Sequence, residues 1–135
     1  MKKCPLSLEI THWVTSALSR RLKCEFSYDT GDPLAVTLTL DTDGERPVRW
    51  NLCRELLADG MVAEAGEGEV VLWPLSDGES GYSSFCLRVG GGDRTALFEI
   101  PAEPVGEWLA RTWAAVPRGT ELDGVDWDEL LQPAE

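Results

Sequence analysis

Leu22, Cys24, Phe26 and Tyr28 alternate strictly with Lys23, Glu25 and Ser27, and twelve positions after Leu22 a second such run begins: Leu34, Val36, Leu38 and Leu40, separated by Ala35, Thr37 and Thr39. An extended chain turns successive side chains to opposite faces, so a period of two reads as a strand with one apolar face. The intervening Asp29-Thr30-Gly31-Asp32-Pro33 is a turn by composition, because Gly tolerates positive φ and Pro fixes its own. Two strands patterned this way around a short turn commit the chain to antiparallel sheet.

The flanking residues extend the same reading. Ser7 to Leu18 alternates loosely and predicts a first strand with a phase change or bulge near Trp13. Val48-Arg49-Trp50 begins a short fourth strand. Asn51 is a candidate N-cap for a two-turn helix from Leu52 to Asp59, with Gly60 placed for a left-handed C-terminal residue. Glu67 to Leu75, Ser83 to Val89 and Thr95 to Ile100 are three further strand-like runs. Pro101-Ala102-Glu103-Pro104 opens a second helix, in which Val105, Trp108, Leu109, Thr112 and Val116 form one apolar stripe before Pro117 stops it. The order is four strands, helix, three or four strands, helix: an α+β domain dominated by antiparallel sheet. Its 135 residues suit a single domain, 1–135, with an acidic C-terminal tail from about residue 119.

Charge narrows the function classes. Twelve Lys and Arg stand against 24 Asp and Glu, a formal net charge of −12. Nucleic-acid binding and docking on an anionic bilayer both draw on cationic surface, so neither is expected. No apolar window approaches the length of a membrane span, and Glu9, Thr11 and His12 interrupt any leader that Lys2 and Lys3 could open. A cytoplasmic protein without membrane insertion is expected. Cys4, Cys24, Cys53 and Cys86 are widely spaced and accompanied by a single histidine, which argues against a zinc site and for buried small residues or free thiols.

The chemistry-bearing residues predict no active site. His12 lies mid-strand without a sequence-adjacent nucleophile, and Gly90-Gly91-Gly92 joins two strands rather than opening a helix, unlike a phosphate cradle. The carboxylate clusters, Glu64, Glu67 and Glu69 and then Asp123, Asp126 and Asp128, read as solvated faces. Neither a metal, a cofactor nor a catalytic residue is expected. Of six tryptophans, Trp13, Trp50, Trp73 and Trp108 fit a core, whereas Trp113 falls off the helix stripe and Trp127 lies in the tail. For these two, local packing and a subunit or partner contact stand side by side.

The order of short motifs then becomes informative. Tyr28-Asp29-Thr30-x-Asp32-Pro33-x-Ala35-Val36, Val48-x-Trp50-x-x-x-Arg54-Glu55-Leu56-Leu57-x-x-Gly60, Val71-x-Trp73-Pro74, Arg111-Thr112 and Val116-Pro117-x-Gly119-Thr120-Glu121 follow one another with spacing similar to that of the SsgA-like family of actinobacterial sporulation and cell-division proteins. The resemblance runs from about Leu22 to Gln132; Leu34 departs from the aromatic residue often found after the Asp-Pro turn. It implies a whirly-like fold of two antiparallel sheets with two main helices, assembled as a homotrimer. It also implies a non-enzymatic protein of the division septum that helps position septation, guides peptidoglycan remodelling and, in the SsgB-type case, recruits the tubulin-like FtsZ and promotes its assembly. FtsZ, other SsgA-like proteins or other division proteins are the partners implied. Three copies of a weak contact would gain avidity through multivalency. Candidate contact residues are Asp32, Pro33 and Leu34 in the turn, Trp113, Pro117, Gly119 and Thr120 at the end of the last helix, and the acidic tail. Asp32-Pro33 and Pro117 to Gly119 are equally readable as plain turn chemistry. The alternative from another class is a small acidic chaperone or adaptor, such as a secretion chaperone, which matches in size, acidity and α+β content.

Overall fold

The computed structural model describes residues 2–76 and 82–123. Strand β1 (Lys3–Trp13) and strand β2 (Ser19–Asp29) form a hairpin paired without interruption, Lys3 opposite Asp29 and Trp13 opposite Ser19. Strands β3 (Ala35–Leu40) and β4 (Val48–Cys53) follow, then helix α1 (Arg54–Gly60), strands β5 (Ala65–Glu67), β6 (Val70–Ser76), β7 (Tyr82–Gly91) and β8 (Arg94–Pro101), and helix α2 (Ala102–Ala115). All pairings are antiparallel, in the order β4-β3-β2-β1-β8-β7-β6-β5. The expected two sheets are the two four-stranded halves of this curled sheet. They join at a seam of three residue pairs, Thr11–Glu99, His12–Phe98 and Trp13–Leu97.

Register explains why the alternation was so strict. Cys24, Phe26 and Tyr28 lie opposite Leu40, Leu38 and Val36, so the apolar residues of both strands share the inner face. There they join Leu52, Leu72, Leu87 and Ile100 in one buried cluster. Full burial of a side chain such as Phe26 is worth about 2–3 kcal/mol. Helix α2 covers one end of this face with Val105, Trp108, Leu109 and Thr112. The Trp108 ring packs 5.7 Å from that of Phe26, and its indole N–H donates to the Cys4 carbonyl at 3.0 Å. That bond falls where β1 runs beyond its short pairing with β8, so the helix serves an edge that the sheet leaves open.

Several boundaries differ from expectation. The first strand starts at Lys3 and ends at Trp13, and residues 14–18 form a turn instead of a bulged continuation. Thr15 Oγ1 accepts from the Ala17 and Leu18 N–H groups, so a hydroxyl supplies the partner that a further ladder would have supplied. Asn51 is not a cap: it lies in β4 opposite Thr37, whose hydroxyl donates to Asn51 Oδ1 at 3.2 Å. Helix α1 therefore begins at Arg54, after a Cys53 cap without a side-chain bond. Gly60 closes the helix with no positive φ. Its role is close approach, since a Cβ there would stand 2.4 Å from Leu72 Cβ.

Candidate partner-binding surface

Arg54 organises one end of the molecule. In α1 it shares the buried face with Leu57, and only 1% of it is exposed. Its backbone N–H donates to the Leu34 carbonyl at 2.8 Å, which ties the helix start to the turn before β3. The guanidinium donates through Nη1 to the Thr112 carbonyl at 3.0 Å and through Nη2 to Glu121 Oε2 at 3.1 Å. Its carbon lies 4.7 Å from the Tyr28 ring centroid and 3.7 Å from that of Trp113. A planar, weakly hydrated cation with a rigid fork of donors suits such a sandwich. Thr112 lies in the last turn of α2, where the helix dipole places negative potential that a buried cation complements.

Each candidate segment hangs from this residue. The Tyr28 hydroxyl donates to the Pro33 carbonyl at 2.9 Å, and Asp29 Oδ1 accepts from the Gly31 N–H, so the turn is held from both sides. Asp32 is exposed, and Leu34 presents 44% of its surface to solvent. After α2, the Pro117 carbonyl accepts both the N–H and the hydroxyl of Thr120. Gly119 adopts φ 88°, a left-handed conformation open to glycine, and its N–H donates to Glu121 Oε1 at 2.8 Å. Arg118 lies 4.4 Å from the Trp113 ring centroid and pairs with Glu55 at 2.7 Å. Hydrogen bonds from its own backbone, then from Arg54 and Gly119, hold the Glu121 carboxyl below the usual range. Burial pushes the Tyr28 phenol up, against the pull of Arg54.

The structure thus links Pro33, Leu34, Trp113 and the 117–121 turn through one residue, Arg54, by its backbone N–H to Leu34 and its guanidinium to the rest, and plain turn chemistry operates within the same segments. Trp113 is half-buried against two arginines; Trp127 and the tail beyond Asp123 lie outside the described residues. Arg54 and Glu121 stand in two separate sequence motifs, and only the fold brings them together. The available signal is spacing: Arg54 falls on the same side of the short helix as Leu57, the side that the helix buries.

Elsewhere, His12 stacks on Phe98 at 4.9 Å, and its Nδ1 accepts from Arg20 Nε at 3.2 Å. Burial, and then the Arg20 charge, lowers its pKa. All four cysteines are free; burial pushes the thiols of Cys24 and Cys86 up to about 12 and about 11. Among the described residues, no three His, Cys, Asp or Glu side chains gather as a metal site, and no helix is long and apolar enough to cross a membrane.

Comparison with known proteins gives this surface a context. Residues 22–121 match the model of the family described as Streptomyces sporulation and cell division protein, SsgA. The chain belongs to the SsgA family. It is 38% identical over 128 residues to the sporulation-specific cell division protein SsgB of Streptomyces coelicolor, covering 95% of this chain and 90% of that one. With SsgB of Frankia casuarinae it shares 39% identity over 104 residues, covering 77% and 71%. A solved SsgB structure from Streptomyces coelicolor superposes with a TM-score of 0.81 at 35% identity, over 90% of this chain and 94% of that one. An SsgA-like sporulation-specific cell division protein from Thermobifida fusca superposes with a TM-score of 0.84 at 28% identity, over 96% and 93%. All five motifs of the SsgA resemblance begin within the matched segment, and the relatives are cell-division proteins rather than secretion chaperones.

Proposed function

We propose that this SsgA-family protein acts without catalysis in sporulation-specific cell division. In this reading it helps position the septum and guide peptidoglycan remodelling by binding FtsZ and promoting its assembly. It works in the cytoplasm at the division site, as a homotrimer that multiplies a weak contact. The observation that carries the reading is the Arg54 cluster: a buried cation, two aromatic rings and a carboxylate hold the Pro33-Leu34 turn and the 117–121 turn as one rigid unit. Leu34 is the exposed apolar residue of that unit, suited to seat in a partner's pocket with Asp32, Pro117, Gly119 and Thr120 around it. Trp113 stabilises this surface from beneath.

Co-sedimentation with GTP-assembled FtsZ from the same organism tests the reading, with light scattering on the same sample for the oligomeric state. The expected result is a trimer that pellets with polymer and raises its amount, while Leu34→Asp stays in the supernatant with unchanged thermal stability. A wild-type trimer that never pellets would sink the FtsZ contact. Loss of pelleting only in variants that dissociate would reassign these residues to the subunit interface.

A further inference from the structure

The sheet's inner face has a second end. Helix α2 contributes no residue there, and a cleft of about 450 Å³ lies open between the start of β4, the end of β3 and the start of β8. Its floor is apolar, with Leu40, Trp50 and Phe98, and Val48 stands half-exposed at the rim. Arg20, Arg46 and Arg94 also line it, against Asp41 as the one lining acid. Among the described residues none of these three arginines forms an ion pair, although acids outnumber bases two to one in the chain. An apolar floor rimmed by unpaired arginines selects an acidic segment with an apolar side.

The chain carries such a segment. Residues 124–135 hold Asp126, Asp128, Glu129 and Glu135 with no Lys or Arg, and Trp127, Leu130 and Leu131 recur at spacings of three and four. The described chain leads toward it from Glu121, which is fixed on Arg54 at the far end of β4. From Arg54 to Val48 is six strand positions, or roughly 20 Å. Four extended steps from Asp123 to Trp127 and one helical turn on to Leu131 together reach roughly 20 Å.

We propose that the C-terminal segment 124–135 docks in the cleft of its own chain, with Trp127, Leu130 and Leu131 on the apolar floor and its carboxylates facing Arg20, Arg46 and Arg94. The segment then neutralises the arginine-rimmed cleft and competes with any other acidic amphipathic peptide for it.

Photo-crosslinking in the full-length chain tests this. Leu131 is replaced by benzoylphenylalanine, and the linked peptides are identified after irradiation. The expected products are intramolecular links to peptides containing Val48 or Trp50. Arg46→Glu with Arg94→Glu should lower their yield about tenfold, the effect of turning two rim attractions into repulsions. Arg46→Gln with Arg94→Gln should lower it less, and far-ultraviolet dichroism verifies that both variants fold. Links elsewhere on the chain, no links, or a yield indifferent to the folded double variants would overturn the proposal. Links found between two chains would overturn the intramolecular occupant in favour of a second copy.

Discussion

The guanidinium carbon of Arg54 lies 3.7 Å from the Trp113 ring centroid, joining the β4–α1 junction to the last turn of α2. The same cation serves Tyr28, Thr112 and Glu121, so its removal strips four partners at once. Arg54→Ala is expected to cost about 3–5 kcal/mol, as for a buried cation removed from its partner with a cavity left behind. Arg54→Lys should recover only part of this, because an ammonium cannot stack and fork together. Urea unfolding of both variants measures the difference; equal stability of Arg54→Ala and wild type would show that the cluster is ornamental.

Trp108 joins core packing to an edge bond. Trp108→Phe keeps an aromatic ring beside Phe26 but leaves the Cys4 carbonyl without its indole donor. A loss of about 1–3 kcal/mol is expected, from a part-buried acceptor left unmet and a smaller ring in a fully buried site. Hydrogen exchange should report the loss first at β1, ahead of β3 and β4.

The Glu121 carboxyl is held below its ordinary value of 4.5, so on acidification the unfolded chain takes up the proton first. Its contribution is complete above about pH 4.5 and fades as pH falls through the lower folded-state value. Wild type should therefore melt above Glu121→Gln at neutral pH, and the two curves should converge on acidification. A gap that persists well below pH 4 would assign the effect to packing rather than charge.

Gly60→Ala would improve helix propensity by about 1 kcal/mol at an unconstrained site. Here the new Cβ meets Leu72 Cβ at 2.4 Å, where a fully buried strand residue cannot withdraw freely. A net loss of about 1–3 kcal/mol is expected from overpacking. Gly60→Ala paired with Leu72→Ala should lose less than the sum of the two single changes, and thermal melts of the three variants decide it.

The strands of the first half were legible because burial on one face leaves a period of two that no neighbour can disguise: Leu22 to Tyr28 and Val36 to Leu40 stand where the alternation put them. Helix α2 was legible for the same reason at a period of three to four. The motif order from Tyr28 to Glu121 also carried the family, which the matched residues 22–121 bear out. Asn51 misled because a residue suited to capping also fits an exposed strand position, and pairing with Thr37 decided between them. The end of the first strand was decided by the Thr15 hydroxyl bonds, which compete with the ladder over a few residues.

Local sequence determined the strands, the helices and the segments able to present a contact, because periodicity and turn chemistry act between near neighbours. The three-pair β1–β8 seam, the bond from Trp108 to Cys4 and the gathering of Arg54, Trp113 and Glu121 were decided by tertiary structure alone. Each depends on residues far apart in the chain, and only the register of the sheet and the seating of α2 bring them within bonding distance.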